Sequence, residues 1–235
     1  MAQKLTLTVS QKIQLTPNIY EVHFQLVDPP TLDFKAGQNM MLMIPASPAG
    51  GAPGVNRTMS IASPPSMKSD LVMVHDVSPM GPGSKWTIGL KVGDTATVVA
   101  PTGGVLSLLP TEKKKVLIAT GTGIAPFRSI LFDARYANIV LYWGLRHEED
   151  IYWKAEFDTL AKTQSHFSWH LILSKPTPTW QGEVGHVTEH VLSNEKDLMN
   201  SEFYLCGNKA MIEDVRMKLL EQNVPNEQIK SELFF

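Results

Sequence analysis

The periodicity of the apolar residues changes once along this chain, near residue 109, and that change limits the fold more than any other feature. From Leu5 to Val105 apolar residues come in short alternating runs, the spacing of half-buried strands. Leu5, Leu7 and Val9 alternate, as do Tyr20, Val22, Phe24 and Leu26; Met40 to Ile44, Leu71 to Val77 and Thr95 to Val99 complete five expected strands. Turn residues separate them, which predicts an antiparallel barrel or sandwich. One brief helix is expected there, with Ser84 as N-cap after Gly81-Pro82-Gly83 and an end near Leu90. Pro45 to Val55, rich in Ala, Gly and Pro, predicts a mobile surface loop.

After Leu109 strands alternate with helical stretches. Pro110 and the run Lys113 to Lys115 predict a solvated connection. Strands are expected at Val116 to Thr120, Ile139 to Trp143, His170 to Ser174 and Phe203 to Cys206. Between and after them, helices are expected at Pro126 to Tyr136, Ile151 to Ala161, near Val187 to Leu192, and from about Ala210 to Gln222. Such repetition implies a parallel sheet covered on both faces. The expected division is a β domain over 1–109 and an α/β domain over 110–235, with no internal repeat.

Composition narrows the chemistry. With 235 residues, 43% hydrophobic and 19% charged, the chain is not a disordered segment, a collagen or a coiled coil. Its 21 basic against 23 acidic residues leave a net charge of −2, so no strong global field draws it to nucleic acid, and no nucleic-acid partner is expected. Cys206 is the one cysteine, which excludes an internal disulfide and any all-cysteine cluster or zinc site held by this chain alone. No metal site is expected, so redox work needs an organic cofactor or a partner. Residues 1–16 show no signal-peptide pattern, and the longest clean apolar stretches fall far short of the roughly 20 residues of a membrane helix. A soluble, cytoplasmic chain without an integral membrane segment is the expectation.

The expected strand Val116 to Ala119 runs into Thr120-Gly121-Thr122-Gly123-Ile124-Ala125-Pro126 and then into a helical pattern. Strand, glycine turn and helix are the parts of a dinucleotide site: the glycines let backbone approach a pyrophosphate, and a helix N-terminus favours its charge. Pro126 suits the first helical turn. The usual third glycine is absent, so an ordinary βα turn is the competing reading. Arg146, 23 residues after Gly123, stands where an acid often holds the ribose of NAD; a base there suits a 2′-phosphate, although Arg146 could equally pair with Asp150.

Four motifs in order, covering nearly the whole chain, resemble the ferredoxin–NADP reductase superfamily. They are Arg57-Thr58-Met59-Ser60-Ile61-Ala62-Ser63; Gly81-Pro82-Gly83-Ser84 with Lys91-Val92-Gly93-Asp94 and Pro101-Thr102-Gly103; Gly121 to Phe127 with Tyr142-Trp143-Gly144-Leu145-Arg146; and Tyr204-Leu205-Cys206-Gly207-Asn208 with Met211. The resemblance implies an antiparallel β-barrel FAD-binding domain, a Rossmann-like NAD(P)-binding domain, and chemistry in the cleft between them. It implies that Arg57 and the Gly83 and Ser84 amides hold the FAD pyrophosphate, with Thr58, Met59, His75, Val77 and Gly81 also in the flavin site. Ser60 would hydrogen-bond flavin N5, and Cys206 would sit beside nicotinamide C4 with Gly207 allowing close approach. Thr120, Gly121, Thr122, Gly123, Pro126, Asn208 and Met211 would line the dinucleotide. A buried strand-end cysteine is the plainer reading of Cys206.

Departures from the family pattern matter as well. Met59 replaces a common aromatic that stacks on the flavin, and a thioether also packs on a π face. Asn208 stands where many relatives have Pro. Ser174-Lys175 occupies a place where NADP-using relatives often carry Ser-Arg, and His186 lies near a further basic ligand of some relatives; with Arg146 they favour NADPH over NADH modestly. The chain ends Ser231-Glu232-Leu233-Phe234-Phe235. Phe234 or Phe235 would cover the flavin face, or simply anchor the tail, and Glu232 would supply a proton relay. The implied function is an FAD oxidoreductase that takes hydride from NADPH or NADH and reduces a ferredoxin, a flavodoxin or an oxygenase component. A free-flavin reductase and a non-catalytic electron-transfer or regulatory subunit are the alternatives.

Overall fold

The computed structural model describes residues 2–46, 54–133 and 138–233, which divide into two compact units. The first is Met1–Ser107 together with Ala125–Asp133. Strands β1 (Gln3–Gln14), β2 (Ile19–Asp28), β3 (Asn39–Ile44), β4 (Val55–Ser60), β5 (Asp70–Asp76) and β6 (Thr95–Thr102) pair antiparallel in the order β4-β3-β6-β1-β2-β5. Just past β4 the two ends of this sheet meet. Ala62 N–H donates to Val72 O at 2.8 Å, and Val72 N–H donates to Ser63 Oγ at 3.1 Å, so the sheet curls into a barrel.

Alternate residues fill the barrel, as the period of two requires. Leu5, Leu7, Val9, Val22, Phe24, Leu26, Met40, Leu42 and Met59 all lie in one core. Each such side chain stabilises the fold by about 1.5–3 kcal/mol relative to exposure. Strand β4 was not expected, because Asn56, Arg57 and Thr58 are all exposed and break the alternation. Val55, read from sequence as the end of a loop, opens that strand; residues 47–53 of the loop lie outside the described residues.

The short helix α1 (Pro82–Gly89) differs from expectation at its start. Its N-cap is Gly81, with no side-chain cap, and Ser84 is a buried residue inside the first turn. Pro82 accounts for the shift, since its fixed φ and missing N–H suit the first helical position. Helix α2 (Ala125–Phe132) belongs to this unit: Arg128 Nη1 donates to Ala62 O at 3.1 Å and Ser129 Oγ to Ser63 O at 2.7 Å. Residues 134–137, the expected end of that helix, lie outside the described residues.

The second unit is Leu108–Ile124 with Ala134–Phe235. Its strands β7 (Lys114–Thr120), β8 (Ile139–Leu145), β9 (Phe167–Leu173), β10 (Glu183–Val184), β11 (Ser201–Gly207) and β12 (Ile229–Leu233) form a parallel sheet in the order β10-β9-β8-β7-β11-β12. Helices α4 (Val187–Asn194) and α5 (Lys209–Glu221) pack on one face, against Val116, Ile118, Val140, Phe203 and Leu205. On the other face α3 (Lys154–Thr163) sets Phe157 against Trp143 and Trp169. The expected start of α3 at Ile151 moves to Lys154, because Trp153 adopts a left-handed φ of 53° and interrupts the helix.

One expectation fails outright. Lys113 to Lys115 are not a solvated connection, since Lys114 opens β7 and Lys115 is 1% exposed. Lys115 Nζ lies 2.8 Å from Glu202 Oε2 and 2.6 Å from Thr111 Oγ1, and Tyr204 OH donates to Glu202 at 2.8 Å. A charge run in sequence is here a buried, fully partnered ion pair. Among the described residues, no helix is long and apolar enough to cross a membrane.

Candidate functional site

In the barrel unit the anion-binding features converge on the start of α1. The first N–H groups of a helix have no intrahelical partner, and here Pro82 has none to offer, so Gly83 and Ser84 are the open donors. Gly83 backs onto Arg57 Cγ and His75 Cε1, since a Cβ on it would sit 3.6 and 3.4 Å from them. Arg57 donates to Asn56 O at 2.9 Å but pairs with no carboxylate among the described residues. His75 bonds Thr87 Oγ1 at 2.7 Å, and burial holds its pKa below the ordinary imidazole value, so the cation available at neutral pH is Arg57. Two open amides and an unpaired guanidinium form a site suited to a phosphate.

The other barrel residues singled out from sequence spread around this point. Thr58 is exposed beside Arg57, and Gly81 ends the loop before α1. Ser60 is 2% exposed, and its Oγ donates to Asn39 Oδ1 at 3.1 Å across the β3–β4 pair. Met59 pairs with Met40 and lies in the barrel core at 6% exposure, while Val77 is also buried.

In the α/β unit, β7 ends at Thr120 and a 3-10 turn follows over Gly121–Ile124. Only glycine fits at two places here. A Cβ at Gly123 would collide with the Cys206 carbonyl, and one at Gly207, whose φ is 149°, would collide with Thr120 Oγ1. Asn208 locks the same junction: its N–H and Nδ2 each donate to Thr120 Oγ1 at 3.1 Å, while its Oδ1 caps α5 by accepting from Met211 N at 2.9 Å. The ends of β7 and β11 are thereby pinned together with Cys206 between them.

Cys206 is fully buried and pairs in register with Ala119 on β7 and Glu232 on β12. Burial first, and the Glu232 carboxylate second, push the thiol well above its ordinary range, so it stays protonated at neutral pH. Strand β12 went unread in the sequence, and it is what brings Glu232 beside Cys206. Phe234 and Phe235 lie outside the described residues, and Pro126 is buried in the first turn of α2.

The basic residues form a separate group at the ends of β8 and β9. Lys175 N–H donates to Arg146 O at 2.9 Å, Ser174 Oγ donates to Leu145 O at 3.3 Å, and His147 Nδ1 lies 2.7 Å from Lys175 O. Asp150 accepts from His147 N–H at 3.0 Å and so closes its own turn instead of pairing with Arg146. Arg146 and Lys175 are both exposed and neither pairs with a carboxylate among the described residues. His186 is exposed at the N-cap of α4.

The family model for an oxidoreductase NAD-binding domain matches residues 117–217, which contain this turn, the basic pair and Cys206. Ferredoxin–NADP reductase B of Sorangium cellulosum is 30% identical over 233 residues, spanning 94% of this chain and 93% of that protein. The chain belongs to the ferredoxin–NADP reductase family. The electron transfer component of anthranilate 1,2-dioxygenase from Acinetobacter baylyi is 32% identical over 208 residues, 86% of this chain. The chain spans 59% of that relative's length. Among solved structures, the Amycolatopsis cytochrome P450 reductase GcoB superposes with a TM-score of 0.89 at 25% identity, covering 99% of this chain and 70% of that one. The barrel followed by a parallel-sheet unit is this family's fold.

Members of the ferredoxin–NADP reductase family are FAD-containing oxidoreductases that work with a nicotinamide dinucleotide. The residues present fit both groups. An uncapped helix start with an unpaired Arg57 suits one pyrophosphate, and a turn where only glycine fits suits the close approach of another.

Proposed function

We propose that this chain is an FAD-dependent oxidoreductase that takes hydride from NADPH or NADH and passes electrons to a protein acceptor, a ferredoxin, a flavodoxin or an oxygenase component. The observation that carries the reading is the pair of phosphate-type sites, one at Arg57 with α1 and one at Gly121–Ile124, in a chain matched over 93% of a ferredoxin–NADP reductase. Residues 1–109 hold the flavin and residues 110–235 the nicotinamide dinucleotide. The FAD, when bound, supplies two-electron uptake and single-electron release.

Each named side chain then has a physical task. Arg57 neutralises the flavin pyrophosphate, and the Gly83 and Ser84 amides donate to it. Thr58, His75, Val77 and Gly81 line the same site, with Met59 below it. Ser60 gives its proton to Asn39, so towards a bound flavin its oxygen would act as an acceptor, and donation to N5 would require that bond to turn over. Cys206, protonated and fixed between two strands, packs beside nicotinamide C4 as a small apolar group without competing as a nucleophile. Thr120, Asn208 and Met211 hold the end of β11 in place for it, and the Glu232 carboxylate, opposite it in register, is the group placed to accept and relay a proton. Arg146, Ser174 and Lys175 form a basic corner suited to a 2′-phosphate, which favours NADPH. A lone buried thiol is compatible with the cytoplasm.

The test is a visible spectrum of the desalted protein followed by anaerobic titration with NADPH and then NADH. Yellow protein bleached by either nucleotide is the expected result. Protein that stays colourless after FAD is added, and oxidises neither nucleotide, overturns the reading; colourless protein that oxidises NAD(P)H only with free flavin makes it a flavin reductase.

A further inference from the structure

The Gly121 carbonyl accepts two side-chain hydrogen bonds, one from Trp143 Nε1 at 3.0 Å and one from Tyr152 OH at 3.3 Å. Trp143 belongs to the third motif without a role of its own there, and the sequence does not single out Tyr152. Trp143 lies in β8, opposite Ala119 of β7, and is fully buried; Tyr152 lies in the segment before α3 and is 5% exposed. The two rings meet edge to face, with centroids 4.9 Å apart and planes at 82°. Trp143 also packs edge-on to Phe157, and Tyr152 to Trp153, so both donors are held by a rigid aromatic cluster.

The geometry of the peptide unit makes this a directional device. Gly121 has a left-handed φ of 53°, and nothing lies within 4 Å of the position a Cβ would take, so the turn is open on that side. The Gly121–Thr122 peptide is not among the cis bonds of the chain, and in a planar trans peptide C=O and N–H point in opposite directions. Holding the Gly121 carbonyl towards the aromatic cluster therefore aims the Thr122 N–H away from it. A loose glycine-rich turn would sample several orientations of this amide and lose that ordering entropy on binding a phosphate.

We infer that Trp143 and Tyr152 are positioning residues for the dinucleotide turn: by clamping the Gly121 carbonyl they preset the Thr122 amide as a donor to the pyrophosphate of the nicotinamide dinucleotide. The inference rests on the proposed function, which supplies the ligand. It adds two residues, on another strand and in another loop, that act on the ligand only through the backbone.

Trp143→Phe and Tyr152→Phe each remove one donor while keeping an aromatic ring in the cluster. Trp169→Phe alters the same cluster, through its contact with Phe157, without touching the turn. The equilibrium readout is calorimetric titration of the flavin-loaded protein with NADP+ and with NAD+. Each clamp variant weakens binding of the tighter-bound dinucleotide by roughly five-fold, the value of one hydrogen bond, and the double variant by more. Flavin content and kcat at saturating nucleotide stay near wild type, so that KM alone rises, while the thermal midpoint falls in Trp143→Phe with the loss of buried ring volume, for which Trp169→Phe is the control. Unchanged affinity in the double variant, or an equal loss in Trp169→Phe, overturns the inference. Wild-type protein that binds and oxidises neither dinucleotide overturns the proposed function instead, and the inference with it.

Discussion

Cys206 on β11 lies directly across the sheet register from Glu232 on β12, two edge-ward strands whose pairing runs from Phe203 and Ile229 to Gly207 and Leu233. A carboxylate beside a buried thiol disfavours the thiolate, and burial disfavours it further. The native protein therefore resists alkylation by iodoacetamide at pH 8, whereas urea-unfolded protein reacts at once. Rapid modification of the native thiol would contradict this. The same shift has a stability consequence. A thiol whose folded pKa is raised binds its proton more tightly folded than unfolded, so stability falls as pH rises past the unfolded value of about 8.5. Cys206→Ala removes that part of the alkaline slope, measured as denaturation midpoints between pH 7 and pH 10.

The Lys115–Glu202 pair gives a second prediction. Burial alone would raise the Glu202 pKa, but hydrogen bonds from Lys115, Thr111 and Tyr204 outweigh it and hold the carboxyl below its ordinary range. A depressed carboxyl contributes stability above its unfolded pKa and loses it as pH falls through the folded value, so this contribution starts to fade near the ordinary glutamate value of about 4.3 and is gone once pH is below the lowered folded value. Lys115→Ala strands a buried carboxylate and costs about 3–5 kcal/mol, seen in a chemical denaturation curve at pH 7. Lys115→Met with Glu202→Leu recovers most of that loss, because an apolar pair needs no desolvation. A Lys115→Ala protein as stable as wild type would show that the pair is not the clamp its geometry indicates.

Arg57 is the fixed cation of the barrel site. Arg57→Ala leaves the barrel core untouched, since its side chain is exposed on β4, but removes the cation whose stem lies beside Gly83 at the start of α1. Loss of a charged hydrogen bond corresponds to a weakening of FAD retention of roughly 10- to 100-fold. Equilibrium dialysis of released flavin measures it, with Arg57→Lys intermediate because an ammonium lacks the planar fork. Equal retention in all three proteins would move the flavin phosphates elsewhere.

Periodicity exposed the strands and helices that bury one face, and it missed those that do not. β4 carries Asn56, Arg57 and Thr58 all exposed, and β12 runs Lys230-Ser231-Glu232 half-buried, so neither shows an apolar period. Both are terminal strands in the order of their sheets. The candidate residues were legible as motifs because glycine spacing reports backbone approach directly: Gly123 and Gly207 sit where a Cβ cannot. What local sequence does not carry is the long-range bond. Lys115 with Glu202 is separated by 87 positions, and Trp143 with Gly121 by 22, and nothing in either neighbourhood announces the partner. Ser84 misled for the opposite reason, since a good N-cap residue lost the position to Pro82 and Gly81.

On the proposed function, the basic corner at the ends of β8 and β9 is the place where the nicotinamide preference would be set. Arg146 and Lys175 are joined through backbone, Lys175 N–H to Arg146 O, and a second set of bonds braces them: Glu148 Oε1 accepts from Thr177 N–H at 3.0 Å. Hydrogen bonding by Thr177 holds the Glu148 carboxyl below its ordinary range, so it is an anion close to this corner at every physiological pH. Arg146 and Lys175 are exposed, and the carboxylates of Glu148 and Asp150 are each held in a hydrogen bond of their own, so a 2′-phosphate would be read by direct contact with the two cations and not by a net positive field. Arg146→Ala therefore lowers kcat/KM for NADPH by roughly 10- to 100-fold through loss of a charged contact, with NADH changed little. Lys175→Ala acts in the same direction with a smaller effect, and Lys175→Glu reverses the preference by putting a carboxylate where the phosphate would lie. Steady-state kinetics with both nucleotides and ferricyanide as acceptor provide the ratio. If Arg146→Ala depresses NADH and NADPH equally, the corner orients the adenosine instead of reading its phosphate.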